Sequence, residues 1–458
     1  MKVTKSAIAI AVLMLASAAA QADSSGNTVS IGQTGNYNSA TVEQTATTGD
    51  SVAISQSAYG NDPRYGFVAN VTTQGGTDDT TVINQNSWWA QPYSSVNVSQ
   101  TGSSHEKNYV TQSGGGDFSA TITQTTSAYT GGPQYDVNTI NQYSYIDTAS
   151  ISQQGGGWNT VTINQGTPSQ TAIGNNASVT QTDTIGNTVG ITQTGNNGTA
   201  SVQTSWGGAN TTSITQTGGA TNANVTQFAE GGDNVTTTQS GTATANVNSW
   251  FGGANLTTIS QSGGVAGSTA TINQILASSN TTSITQTADG NNATVNQTLE
   301  FGDAATINQS AAQNTAAISQ QFGFGNSATI TQTAANNLAT ITQTSSAGST
   351  ASITQSSANN QAYVAQSAAS GSLTTVNQTL DIGNYANASQ TGADDVLSLS
   401  QAGGFNVINA SQVSGTGNLG YVTQTGYNNN ATLVQQGNAN YASINQNGFN
   451  NTVSVKQH

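Results

Sequence analysis

A glutamine returns at every eleventh or twelfth position along almost the whole chain, each time closing a short alternating stretch of small and branched residues. The pattern is complete at Asn38, Ala40, Val42 and Gln44, and still intact at Val453, Val455 and Gln457. Counted forward from Gln33 it gives 36 strand ends, of which 34 are Gln; Thr204, with Gln203 one place early, and Ser249 are the exceptions. A short period held over hundreds of residues specifies a repeat architecture.

The physics of one unit follows from the strand period of two. Asn27, Val29, Ile31 and Gln33 share one face, and Thr28, Ser30 and Gly32 take the other. Residues 34–37 turn the chain, after which Asn38, Ala40, Val42 and Gln44 repeat the inward face. From Gln274 to Gln378 a longer and a shorter interval alternate strictly, as in Gln286, Gln297, Gln309, Gln320 and Gln332, so the physical repeat is a pair of strands with two different ends. One such coil cannot bury its inner face alone, whereas stacked coils share a continuous core. The expected fold is therefore all-β: a flattened β-solenoid of two strands per coil and about 18 coils, roughly 86 Å long at ~4.8 Å per strand.

Stacking also explains why amides are tolerated inside. A Gln at the same place in every coil bonds to those above and below, as in the amide ladders of cross-β assemblies, and a buried polar network is acceptable when each member is satisfied. The expected ladder positions include Gln33, Asn38, Gln44, Gln332, Asn337 and Gln343. Toward the C-terminus they continue with Gln424, Asn429, Gln435, Asn440, Gln446, Asn451 and Gln457. Small Ala beside Ile or Val between the ladders suits a narrow, dry core.

Only 5% of the residues are charged and 34% are hydrophobic, a bias that also fits disordered, aggregation-prone chains. Ile and Val kept in register at every strand argue for order, since a disordered chain has no reason to hold them there. Lys2 and Lys5, the apolar stretch Ala7 to Ala18 and the small-residue site at Ala20 and Ala22 read as an export signal cleaved after Ala22. With no Cys, the exported chain is held by ladders and packing alone. Beyond the signal three basic residues face 19 acids, a net charge of −16. That excludes nucleic acid or an anionic membrane as an electrostatically attracted partner, and no later run is long and apolar enough to span a bilayer.

The spaced series from Asn27 through Gln33, Gly35, Asn38, Ala40, Val42 and Gln44 resembles the curlin repeat, the unit of the curli functional amyloid subunits of Gram-negative bacteria. The C-terminal series Gln424, Gly426, Asn429, Gln435, Gly437, Asn440, Gln446, Gly448, Asn451 and Gln457 matches it as well. The resemblance implies a structural subunit of extracellular, cell-surface amyloid fibres of biofilm matrix and adhesion. It also implies that the chain polymerises with itself, works with a curli-type nucleator or major subunit, and leaves through an outer-membrane secretion channel. Family subunits are far shorter and carry a Gly-rich segment after the signal, where this chain has only residues 23–26.

The organisation is thus a signal (1–22), a short tail (23–26), repeats with four long insertions (27–181) and regular repeats (182–458). All four prolines, Pro63, Pro92, Pro133 and Pro168, fall in the insertions. Proline cannot donate to a ladder, so these read as loops between intact strands. They concentrate aromatics, of which Trp88, Trp89 and Tyr93 are the candidate binding residues for a sugar or protein; rings packed on the solenoid flank are the simpler reading. The terminal strands show no cap, making Val29, Ile31, Val453 and Val455 the expected assembly edges. Asp233, Asp289, Asp303, Asp381, Asp394 and Asp395 are candidate gatekeepers against inappropriate association, or simply solubilising charges.

Catalytic signals are lacking. His105 and Glu106 have no second ligand at zinc spacing, and Asp78 and Asp79 lack the loop of calcium-binding β-rolls. No enzyme, metal or cofactor is expected. The competing reading is a soluble secreted solenoid that binds a surface, with outward Thr pairs such as Thr329/Thr331 and Thr340/Thr342 resembling ice-binding arrays; Asn273, Asn296 and Asn308 break the array.

Overall fold

The computed structural model describes residues 24–458 except 36–37, 59–65, 88–92, 115, 126–134, 144, 168–172 and 263–266. The expected signal lies outside the described residues, as do the four prolines, Trp88 and Trp89. The rest is an all-parallel β-solenoid of 36 strands, β1 to β36 in chain order. Odd strands form one sheet of 18, beginning β1 (Thr28–Thr34) and β3 (Ser51–Ala58); even strands form the other, beginning β2 (Ser39–Thr48) and β4 (Gly66–Thr77). Each strand pairs with the strand two places on in the chain, so one circuit of strand, arc, strand, arc raises the chain by one rung.

In the regular part the register sets like on like. In β23 (Ala304–Gln309) and β25 (Ser327–Gln332), Ala305 meets Ala328, Ile307 meets Ile330 and Gln309 meets Gln332. Those three positions are buried and their neighbours half-buried, as alternation requires. The inner faces of both sheets merge into one apolar column that runs from Val52 and Ile54 to Ala442 and Ile444. Because each coil places the same side chain over its predecessor, no unlike shapes need to be fitted together. A few residue types, repeated, fill the core.

The two arcs differ, which accounts for the alternating spacing. After an even strand the arc uses two left-handed residues, as at Phe322 (φ 60°) and Gly325 (φ 64°). After an odd strand of the regular stretch, β21 (Thr281–Gln286) to β27 (Thr350–Gln355), it uses one, as at Asn336 (φ 58°) and Asn359 (φ 56°). Gly252 shows why the first arc is glycine-rich: a Cβ there would sit 1.8 Å from the carbonyl oxygen of Ala277 in the next coil.

One expected inward position is corrected. In β4 the register places Thr73 opposite Gln44 and Gln100, and Gln74 opposite Thr45 and Thr101. Thr73 is buried and Gln74 exposed. The pattern from Phe67 through Ala69 and Val71 fixes the phase, and the glutamine arrives one residue late.

Candidate functional site

The odd sheet carries a glutamine ladder without a gap from Gln33 to Gln446. At every rung Nε2 donates to Oε1 of the glutamine in the following coil, over 2.7 to 3.0 Å. The second amide hydrogen explains the single direction. Gln332 Nε2, for example, also donates to the backbone oxygen of Thr315 on the facing sheet, 3.1 Å away. An amide turned the other way would set oxygen against oxygen. Each glutamine thereby ties three strands together, two in its own sheet and one across the core.

The even ladder is interrupted. The expected rung Gln44 stands outside it, opposite Thr73 and with its buried Nε2 unpartnered; the ladder runs from Gln100 to Gln181 and again from Gln274 to Gln457, donating in the same sense. Between them Thr204 and Ser249 take the glutamine position. Around Thr204 the amide nitrogens of Gln181 and Gln227 and the threonine hydroxyl are all buried without partners.

Two staircases complete the network at the arcs. Asn210 Oδ1 accepts the backbone N–H of Asp233, Asp233 Oδ1 that of Asn255, and Asn255 Oδ1 that of Asn280. The same step links the opposite arc from Asn291 through Asn314, Asn337, Asn360 and Asn384 to Asn406, Asn429 and Asn451. The expected asparagines therefore divide between two staircases, and their oxygens accept main-chain N–H groups as well as side-chain amides.

Any side chain with an acceptor oxygen can stand on such a step, and several are acids. Asp50, Asp79, Glu106 and Asp136 occupy four consecutive steps. Of the six candidate gatekeepers, Asp233, Asp303 and Asp395 are buried in this staircase, whereas Asp381 and Asp394 are exposed and Asp289 is half-buried. Glu230 and Glu300 stand three residues before Asp233 and Asp303 in the arc. Each folds a carboxylate oxygen onto the N–H of a glycine in the next coil, Gly252 and Gly323.

These carboxyls are costly to ionise. Burial, then the neighbouring charges of Asp136 and Asp79, pushes Glu106 up to about 9. Burial pushes Asp136 up to about 6. Burial and Asp233 raise Glu230 to about 8, and burial with Asp303 raises Glu300 to about 9. Burial also raises Asp50, Asp233 and Asp395. Glu230 and Glu300 are not evident from the sequence pattern alone; their signal is the three-residue spacing to Asp233 and Asp303, which is the arc's own phase.

At the column ends the network stops open. Every residue of β1 is exposed, with Val29 and Ile31 at 46% and 43%. At the other end stand β35 (Tyr441–Phe449) and β36 (Thr452–Gln457), where Val453 and Val455 are only partly buried. Among the described residues no helix or loop lies across either end. The parallel pairing of β36 with β34 (Asn430–Gln436) uses one set of main-chain groups and leaves those of Thr452, Ser454 and Lys456 facing outward along the axis.

The curlin associated repeat matches residues 303–333, 320–344 and 426–458, each stretch spanning strands and arcs of this column. Over these residues the chain carries curlin repeats. No curated protein matches it. The stretch at 426–458 takes in β35 and β36, so these strands form an ordinary curlin repeat and no divergent cap. Among the described residues no group of three His, Cys, Asp or Glu is placed to hold a metal ion, and no helix is long and apolar enough to cross a membrane.

Of the candidate binding residues only Tyr93 is described; it opens β6 (Tyr93–Ser104) and is exposed. Tyr135, beside another insertion, meets His105 edge to face at 5.2 Å. On the outer face Asn248, Asn273 and Asn296 form an amide ladder of their own, so two of the residues that break the threonine array bond to one another, while Asn308 lies on the other sheet.

Proposed function

We propose that this protein is a structural subunit of extracellular, curli-like amyloid fibres, joined end to end through its open terminal coils. The observation that carries this reading is the polarity of the odd-sheet ladder and the staircases at two ends that carry no cap among the described residues. The last coil offers amide hydrogens of Gln446 and Gln457 and the oxygens of Asn440 and Asn451. The first coil offers the leading oxygen of Gln33 and the backbone N–H groups of Asn27 and Asn38. A second molecule set on top, in the same orientation, continues the odd-sheet ladder and both staircases. An exposed row of strand N–H and C=O groups is in any case a template for another chain.

In this reading export by the signal brings the chain to the cell surface, with a secretion channel and a nucleator or major subunit as partners. Asp289, Asp381 and Asp394, which are not buried in the staircase, act as gatekeepers on the flanks. Incubation of residues 23–458 at neutral pH, followed by fibre diffraction and thioflavin fluorescence, tests it. Self-seeding fibres with reflections near ~4.7 and ~10 Å are expected. A chain that stays monomeric for days at tens of micromolar rejects end-to-end assembly and leaves a soluble surface-binding solenoid.

A further inference from the structure

The arcs that follow the even strands stack in register through a column of single bridges, Gly208, Gly231, Gly253, Ser278, Phe301 and Phe324. Along six consecutive coils this edge is apolar on the outside. Trp206, Phe251, Leu276, Leu299 and Phe322 occupy the same arc position and are 44% to 66% exposed; Phe301 and Phe324, two residues further on in their arcs, are both 62% exposed. Phe228 fills the coil between Trp206 and Phe251, its ring 5.1 Å from Phe251 and edge to face with it.

The fold does not ask for these side chains. The five residues sit in the left-handed region, with φ between 53° and 60°, where a bulky side chain is unfavourable and Gly or Asn is at ease. The same arc position carries Ala229, Ser345 and Ala368 in neighbouring coils, with the same sign of φ and no loss of register. Large apolar groups held at a strained and exposed position are the mark of a surface kept for a contact.

The geometry points to a second copy of this chain as the occupant, its own apolar edge laid against this one side by side. Three features of the edge select that partner. A row of rings repeating at ~4.8 Å finds its match in another stack of strands with the same rise. The edge is free of exposed charge between Asp183 and Asp394, because Glu230, Asp233, Glu300 and Asp303 are turned inward and buried. Two copies, each carrying a net charge of −16 beyond the signal, meet there without repulsion. The area also suffices: at ~150–250 Å² per large side chain and the exposures above, seven residues offer roughly 700 Å² per copy, or about 1,400 Å² in a pair. That is the size of a specific interface and exceeds the largest apolar patch of an ordinary monomer. A two-fold axis makes the contact self-complementary and closed. It widens a column without lengthening it, and so is independent of the joints at the ends. In a filament the stripe recurs once per molecule, which fixes the register between two columns.

The test is mass per unit length of filaments grown from residues 23–458. The unaltered chain should give twice the value of one column. The variant with Trp206→Asn, Phe251→Asn, Leu276→Asn, Leu299→Asn and Phe322→Asn keeps a residue suited to each arc and should give single columns. A milder variant, Phe301→Ser with Phe324→Ser, copies the serine natural to Ser278 and should shift the population the same way. The pair Leu380→Asn and Phe405→Asn alters exposed apolar residues on the opposite arc and should leave the doubling intact. Single columns from the unaltered chain, doubling that survives both stripe variants, or doubling lost equally in the opposite-arc control would each overturn the proposal. If no filaments form, sedimentation of the soluble chain decides in the same way: a two-copy particle supports it, and a single copy rejects it.

Discussion

Thr204 marks the point where the even ladder fails, and the consequence can be followed atom by atom. Gln181 and Gln227 stand one coil below and one above it, both with buried amide nitrogens that reach nothing. Thr204→Gln places an oxygen before the Gln181 amide nitrogen and replaces the unpartnered threonine hydroxyl, and should stabilise the chain by about 1–2 kcal/mol, the penalty of an unpaired buried group. Chemical unfolding of the variant beside the parent measures it; a lower midpoint would mean that the cavity at Thr204 is too small for the longer side chain. The buried carboxyls predict a pH dependence with a definite sign. Each has a folded-state value above its ordinary one, so folding favours the protonated form. Their stabilisation is fully present below pH ~4 and fades as pH rises toward about 9, the value reached by Glu106 and Glu300. Melting temperature should accordingly climb as pH is lowered from 9 to 4. Glu300→Gln keeps an acceptor for the Gly323 N–H and removes one charge, and should flatten that profile while adding on the order of 1 kcal/mol at pH 9. A parent profile that is flat over this range would show that the carboxyls ionise freely in the fold.

At the scale of the strand, the last one is the most informative. Ser454 faces outward from the core, and its main-chain N–H points along the axis at the open edge. Proline there costs no bond within the molecule but removes a donor that an incoming chain would use. Ser454→Pro should leave circular dichroism and melting unchanged and slow filament elongation by roughly tenfold or more; unaltered elongation would remove β36 from the joint. The strands themselves were legible from sequence, because an inward face of Asn, Ala, Ile or Val and Gln repeats with a period of two and tolerates few substitutes. Three things were not. Gln74 looks like a rung because it is a glutamine at a plausible distance, and only the phase set by Phe67, Ala69 and Val71 reveals that Thr73 takes the place. Asp233, Asp303 and Asp395 look like surface charges, since acids in arcs usually are; what buries them is a backbone N–H arriving from the next coil, at Asn255, Asn326 and Asn418. The apolar stripe joins residues a whole coil apart that no local window compares, and each arc taken alone shows only one or two large side chains.

Taken whole, the molecule is a column held coil to coil by the same parallel strand pairing and by the odd-sheet ladder from Gln33 to Gln446. An end-to-end joint between two molecules would repeat the internal joints and match them in strength, so a fibre would have no weak seam at molecular boundaries. The covalent path, however, does not run along the axis. It winds around it, one full turn for each pair of strands. Under tension a coil that peels away frees roughly 75–80 Å of extended chain in exchange for ~4.8 Å of column. Such a thread would lengthen before it snaps, releasing slack one turn at a time and dissipating work at each step, so that a cell moored by it could drift in a current without being cut loose.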